Sequence, residues 1–288
     1  MPTTSPSSGC WPNEPQAVTS VRTGYAGHRV DLRESRIRKL LRLLEGETPG
    51  RLLDVGCAGG ELAALLVARG WRVDGAEAEP ALVEAARARG IDARAVDLDR
   101  APLPWPAGAF EAVVAAEVIE HVVDTDHLLA EMVRVLRPGG VLVVTTPNLA
   151  SLENRLRLLL GRYPMWMDVG VEGTGHLRYY TPRMLRHQLG RHGLRVERHV
   201  GNWVPLVPQR FLDDRTAPWL AVTGDWFPSL AMGILMTARR GGATADVGGP
   251  DMAPQPLQAK GATPPSDSPG QRSDAPRRSR GAPRGCSP

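Results

Sequence analysis

From Ser35 to about residue 237, short apolar runs alternate with stretches of helical periodicity. Ile37, Leu40, Leu41 and Leu44 recur at spacings of three and four, which predicts a helix over Ser35 to Leu44. Arg51 to Val55 follows as a first short strand, and Glu61 to Arg69 as a helix. Trp71 to Glu77 reads as a second strand. The next helix opens with Pro80 in its first turn, where a missing N–H costs nothing, and ends at Gly90. Ile91 to Val96 is a third strand. Phe110 to Ala116, apolar except for Glu111, is a fourth and suits burial on both faces. Asp126 to Arg137 is a helix with Leu128, Leu129, Met132, Val133 and Leu136 inward, stopped by Pro138-Gly139-Gly140. Val141 to Thr145 is a fifth strand. Thr181 caps another helix with Pro182 at its first position, ending at Gly193. Arg195 to Val200 and Leu230 to Thr237 complete seven strands. Alternation of this kind predicts a doubly wound α/β sheet, whose ligands bind beyond the carboxyl ends of the strands.

Composition marks out the ends of that domain. Residues 1–20 are rich in Ser, Thr and Pro, and residues 241–288 in Gly, Pro, Ser and Arg. Neither segment can bury enough apolar surface to offset its chain entropy, so both are expected to be disordered around a domain over 21–240. The net charge of +4 arises with only two lysines, Lys39 and Lys260, among 35 basic residues. The stretch after Arg240 carries six basic and four acidic residues, which leaves the domain only mildly basic and argues against a nucleic-acid partner. Cys10, Cys57 and Cys286 match no zinc or redox spacing, and a reducing cytoplasm is the expected location. Met1 to Ser8 is polar, without the basic-then-apolar pattern of a secretory signal, and no apolar run reaches the ~18–20 residues of a membrane span.

The first strand runs into Asp54-Val55-Gly56-Cys57-Ala58-Gly59-Gly60. Glycines here let the backbone pass close to a ligand, and the following helix points free N–H groups toward it. A dinucleotide fingerprint fails at Ala58 and again at Glu61, and no Gly-Lys-Ser/Thr follows for a Walker loop. The loop resembles the first motif of the class I S-adenosylmethionine-dependent methyltransferases, an acid followed by G-x-G-x-G. Ala58 stands in place of the middle glycine, a change that adds only a methyl. Further matches follow in order: Glu77 at the end of the second strand, Asp97 after the third, Leu103-Pro104-Trp105-Pro106 with Phe110-Glu111, and Leu136-Arg137-Pro138-Gly139-Gly140.

The resemblance, over about Leu52 to Pro147, implies a Rossmann-like sheet of seven mostly parallel strands with helices on both faces. It also implies a site for S-adenosylmethionine. Asp54, Gly56, Cys57, Ala58 and Gly60 would cradle the cofactor with Ala78 and Glu117. Glu77 would accept from the ribose hydroxyls, and Asp97 would meet the adenine amino group, with Asp99 as the rival and Leu98 lining the ring pocket. Gly139-Gly140 reads as a turn without ligand contact.

Methyl transfer from a sulfonium needs alignment of donor and acceptor, and sometimes a group that takes the acceptor's proton. Two histidines are candidates. His121 closes Glu117-Val118-Ile119-Glu120-His121, where a helical turn would place Glu117, Glu120 and His121 on one face. This stretch resembles the ubiquinone-biosynthesis O-methyltransferases, whose matching residues are associated with a divalent metal such as Mg²⁺; relatives without a metal share it. His176 lies in Gly175-His176-Leu177-Arg178-Tyr179-Tyr180-Thr181-Pro182, which resembles a stretch after the fifth strand in one branch of the family. It faces substrate or pins the loop by a backbone hydrogen bond, while Arg178, Tyr179 and Tyr180 read as packing and capping groups.

Three variable pieces are left for the acceptor: the stretch around Tyr25 and His28, an insert or lid over 148–180, and Gly201 to Phe227. The insert has Leu152, Leu156, Leu159 and Leu160 at helical spacing, then Tyr163, Met165 and Trp166. Such surfaces suit a lid over an apolar small molecule, contact with a membrane surface, or ordinary packing. Arg155, Arg157 and Arg162 would attract an anionic acceptor or simply face solvent. The reading is methyl transfer to a small molecule, at oxygen first. A cofactor-binding domain that acts through a partner is the alternative, and a nicotinamide oxidoreductase a distant one.

Overall fold

The protein is described from a computed structural model over residues 34–167, 175–206 and 217–241. The expected disorder of 1–20 and of the tail after Gly241, and the roles suggested for Tyr25 and His28, lie outside the described residues. In chain order the elements are α1 (Ser35–Leu44), β1 (Arg51–Val55), α2 (Glu61–Val67), β2 (Arg72–Glu77), α3 (Pro80–Ala88), β3 (Asp92–Ala95) and β4 (Phe110–Ala116). They continue with α4 (Thr125–Val135), β5 (Leu136–Pro147), α5 (Leu152–Leu159), α6 (Pro182–Arg191), β6 (Leu194–Gly201), α7 (Ala221–Trp226) and β7 (Gly233–Arg240).

The seven strands form one sheet in the order β3-β2-β1-β4-β5-β7-β6. β1 to β5 pair in parallel, and β7 runs antiparallel to both β5 and β6. Both faces are covered. Leu53, Val55, Val113, Ala115, Leu142 and Val144 face one way, into a core with Leu128, Leu129 and Met132 of α4 and Leu185 and Leu189 of α6. The alternate residues Leu52, Ala112, Val114, Val141 and Val143 face Ile37 and Leu40 of α1, Leu62 and Leu66 of α2, and Val83 of α3. This period-two division explains why the central strands read as unbroken apolar runs. Strand order reverses between β1 and β4, and their carboxyl ends open a crevice there.

Most boundaries shift by a residue or two from the sequence reading, and β5 and β7 by more; two of the differences have a local cause. α4 ends at Val135 rather than Arg137, because Leu136 is already extended (φ −74°, ψ 133°) and pairs with Phe110. Arg137 precedes a proline, which disfavours the helical region, so the chain must straighten there. The ladder then slips opposite Phe110–Ala112, making Pro138-Gly139-Gly140 a bulged entry to β5. At the other end, Pro228–Leu230 forms a 3-10 turn, so β7 starts at Gly233 instead of Leu230.

Candidate active site

The loop after β1 bends sharply at three residues in the left-handed region: Gly56 (φ +70°), Ala58 (φ +44°) and Gly60 (φ +85°). At Gly56 a Cβ would also fall 2.4 Å from Val118 Cγ2, and at Gly60 it would crowd Ala86 at 3.1 Å. At Ala58 the departure from the family's glycine therefore costs more than the space for a methyl, because the backbone itself is in a region that disfavours a Cβ. Cys57 is buried, and its thiol packs toward Gly75 of β2, where a Cβ would lie 2.6 Å from Sγ. The Cys57 side chain is thus part of the core under the loop. Arg89 steadies the loop from outside, donating to Gly59 O (2.8 Å) and pairing with Glu61 (2.8 Å). α2, which follows the loop, is seven residues long.

Glu77 ends β2 with its carboxylate fixed by backbone donors. Oε2 accepts from Ala58 N–H (3.0 Å), and Oε1 accepts from the N–H groups of Ala78 (2.7 Å) and Glu79 (3.0 Å). Asp54, in β1, is 1% exposed and its Oδ2 has no hydrogen-bond partner. Burial, and then the charge of Glu77, push its carboxyl up to about 8. A buried carboxyl with an idle oxygen is expensive unless a cation or donor arrives to pair with it.

After β3, Asp97 is exposed and only its Oδ1 is engaged, with Asp99 N–H (3.0 Å). Asp99 is committed to structure, since its Oδ1 accepts from Val123 N–H (2.6 Å) and Asp124 N–H (3.3 Å). Of the two rivals, Asp99 accepts from two backbone N–H groups and Asp97 from one. Leu98 is buried beside it.

β4 is followed by Glu117, itself in the left-handed region (φ +57°). Its N–H donates to Thr145 O (3.0 Å), and the Thr145 hydroxyl donates to its Oε1 (2.7 Å). A 3-10 turn, Ile119–His121, follows. The expected helical face of Glu117, Glu120 and His121 therefore does not form, because Glu117 stands outside the turn. Glu120 is 1% exposed; its Oε2 accepts from Thr146 Oγ1 (2.9 Å), and its Oε1 is buried without a hydrogen-bond partner. Burial, then the Glu117 charge, raise its carboxyl well above the usual range. Arg36 of α1 supplies a cation whose field reaches both Glu117 and Glu120, while it pairs with Glu34 at 3.1 Å.

The structure brings the two candidate histidines together. The rings of His121 and His176 lie 4.8 Å apart, centroid to centroid. His121 Nδ1 lies 3.0 Å from Gly175 O, and His176 Nδ1 lies 2.8 Å from Trp166 O. A carbonyl only accepts, so each Nδ1 carries a proton and donates it there. The returning strand is fastened by Leu177 and Arg178 N–H groups to Glu120 O (2.7 and 2.9 Å), and by Tyr179 OH to His176 O (3.1 Å). Tyr180 OH donates to Gln188 at 3.0 Å. Arg178, Tyr179 and Tyr180 thus hold the loop, as expected.

Ligand atoms of Glu120, His121 and His176 lie within 4.8 Å of one another, the one such cluster among the described residues. It differs from the expected Glu117, Glu120 and His121. Two imidazoles and one carboxylate do not suit Mg²⁺, which demands oxygen ligands. Thr145, Thr146 and Arg36 escaped the sequence reading. The two threonines could have been found, since a polar pair closes the otherwise apolar β5 beside β4. Arg36 sits on what reads as the solvent face of an amphipathic helix, and nothing local marks it.

Comparison with known proteins follows this geometry. Residues 28–199 match the family described as a methyltransferase domain. A demethylmenaquinone methyltransferase of Thermus thermophilus is 39% identical over 113 residues, 37% of this chain and 51% of its own, so the chain spans about half the length of that relative. A ubiquinone biosynthesis O-methyltransferase of Xylella fastidiosa is 32% identical over 224 residues, covering 73% of this chain and 83% of its own. Its counterpart from Mesorhizobium japonicum is 29% identical, covering 63% and 73%. Among solved structures, an S-adenosylmethionine-dependent methyltransferase of Thermotoga maritima superposes with TM-score 0.54 at 18% identity, over 72% of this chain and 89% of its own. A second, from Mesorhizobium loti, has TM-score 0.51 at 21% identity, over 71% and 98%. The glycine loop, the carboxylate at the end of β2 and the strand order agree with these matches: the chain belongs to the class I S-adenosylmethionine-dependent methyltransferases.

Proposed function

We propose that the protein methylates an oxygen of a small-molecule acceptor, with His121 taking the proton that the acceptor hydroxyl loses. The observation that carries this reading is the meeting of His121, His176 and buried Glu120 at the carboxyl end of β4, across the strand-order reversal from the glycine loop. S-adenosylmethionine supplies a methyl group on a cationic sulfur, a good leaving group in an in-line displacement. The residues present fit it. The idle Oδ2 of Asp54 suits the ammonium of the amino-acid end, Glu77 suits the ribose hydroxyls, and Gly56, Ala58 and Gly60 leave main chain uncovered against the ligand. Asp97 and Leu98 suit the adenine ring.

On the acceptor side, His121 turns Nδ1 to Gly175 O, which makes Nε2, 3.9 Å from Glu120 Oε1, the nitrogen proposed as the base. Burial and the Glu117 charge raise the Glu120 carboxyl, which disfavours a carboxylate paired with the imidazole. His176, fixed through Trp166 O, closes the other side. An apolar hollow of about 520 Å³ lined by Leu149, Leu158, Tyr163 and Met167, bracketing Trp166 in sequence, suits an apolar acceptor body. The names of the quinone-pathway relatives support the same acceptor class.

The test combines calorimetry with turnover on phenolic acceptors. S-adenosylhomocysteine should bind the wild type and not Glu77→Ala. His121→Ala should keep its affinity and lose about 10²–10⁴ in kcat. EDTA-dialysed protein should keep its activity. Undiminished turnover by His121→Ala removes the proposed base, and a methyl group found on carbon or nitrogen removes the oxygen acceptor.

A further inference from the structure

We propose, building on the role proposed for the glycine loop as the cofactor's cradle, that Arg89 locks that loop in its ligand-binding shape and offsets the alanine at position 58. Arg89 acts through the loop, as a positioning residue for S-adenosylmethionine. Ala58 is the second residue of a four-residue turn, Cys57 to Gly60, closed by Gly60 N–H donating to Cys57 O (2.8 Å). With φ +44° it occupies the place where primed turns take glycine, asparagine or aspartate. A glycine visits that region freely, but an alanine prefers the negative-φ form of the same turn. Both forms keep the closing hydrogen bond, so that bond does not select between them.

The selection must come from outside the turn. On one side, Ala58 N–H donates to Glu77 Oε2 (3.0 Å), which fixes the peptide plane entering the residue. On the other, Arg89 at the end of α3 donates through Nη1 to Gly59 O (2.8 Å), which fixes the plane between Gly59 and Gly60. Nη2 of the same guanidinium pairs with Glu61 Oε1 (2.8 Å) at the start of α2, and Nη1 also reaches Ala85 O (3.2 Å) within α3. One planar fork therefore joins the loop to both helices that flank it, a geometry that the point charge of a lysine does not reproduce. Gly60 closes the same seam, since a Cβ there would lie 3.1 Å from Ala86.

As an ion pair alone, Arg89 with Glu61 would count for little, because their side chains are 43% and 24% exposed. Its bond to Gly59 O gives it a different consequence. That bond bears on a choice between two forms of the turn, and the form that binds ligand is the one that alanine disfavours. Without the guanidinium, part of the ligand-free protein relaxes to the negative-φ turn, and the ligand must first draw the loop back. The apparent affinity then falls in proportion to the fraction that remains competent. The cost of one left-handed alanine sets the ceiling of this effect at about thirtyfold.

The test is a double-mutant cycle on the full chain, read by calorimetric titration with S-adenosylhomocysteine. Arg89→Ala is expected to weaken binding about tenfold. In the Ala58→Gly background the same substitution should weaken it about twofold or less, because glycine holds a positive φ without the clamp. Any stability lost with the ion pair is common to both backgrounds, so a merely structural role for Arg89 would give equal losses of affinity in the two. Equal losses overturn the proposal. So does undiminished binding by Arg89→Ala when the wild type binds. A wild type that does not bind S-adenosylhomocysteine overturns the role of the loop itself, and the clamp with it.

Discussion

At Ala58 the main chain holds φ +44° while its N–H donates to Glu77, so the strained residue and the carboxylate at the end of β2 are one device. A left-handed alanine costs about 1 kcal/mol relative to glycine. Ala58→Gly should therefore raise stability by about 0.5–1 kcal/mol in denaturant unfolding, despite the freer unfolded chain, with homocysteine-ligand affinity kept. Asp54 gives a pH signature. Its carboxyl is at about 8 in the ligand-free fold, against 3.8 for the ordinary group. The unfolded chain ionises from about pH 4 while the native one stays protonated, so this group makes the ligand-free protein less stable as pH climbs from 4 to 8. A bound ammonium lowers the Asp54 value, so binding releases a proton and S-adenosylhomocysteine affinity should rise up to about tenfold per unit below pH 8, then level off. Asp54→Asn should flatten both profiles in calorimetry and thermal melts.

Among the elements, α5 shows how a helical pattern misleads when taken as a packing signal. Its leucines recur at helical spacing, yet Leu156 is half exposed and Leu159 81% exposed, and Asn154 is the buried residue. Asn154 Oδ1 accepts from Met165 N–H (2.7 Å), and its amide donates to Asn148 O (3.3 Å), so one polar side chain folds the insert back on the end of β5. Asn154→Ala leaves the part-buried Met165 N–H without its acceptor, a cost of about 1 kcal/mol. Hydrogen exchange should quicken over 148–165 while β1, β4 and β5 stay protected. Equal quickening in the central strands would mean that the insert is part of the cooperative core. The Thr181 cap, by contrast, was readable: its hydroxyl accepts from Met184 N–H with Pro182 in the first turn, because capping is local chemistry.

For the molecule as a whole, the sheet order brings residues from distant parts of the chain to one crevice. Glu120 and His176 meet across a turn and an insert, and the charge of Arg36 acts on Glu117 and Glu120 from a helix that precedes the first strand. Lys39 joins α1 to the chain 162 and 182 residues later. Lys39→Met should cost about 2 kcal/mol or more by stranding two carbonyls, measured by denaturant midpoint with an unchanged slope. A smaller slope would indicate that α1 unfolds separately.

The strands, the glycine loop and Glu77 were legible in the sequence because they depend on period-two burial, positive φ and a fixed place at a strand end, all written within a few residues. Asp54 as an uncompensated buried acid, the exchange of Glu117 for His176 in the titratable cluster, and the service of Arg36, Thr145 and Thr146 were decided only by the tertiary structure. They depend on which strands lie side by side, and on whether the residue after β4 turns left-handed or helical. No local window carries those facts, since they are set by pairing partners separated by tens of residues along the chain.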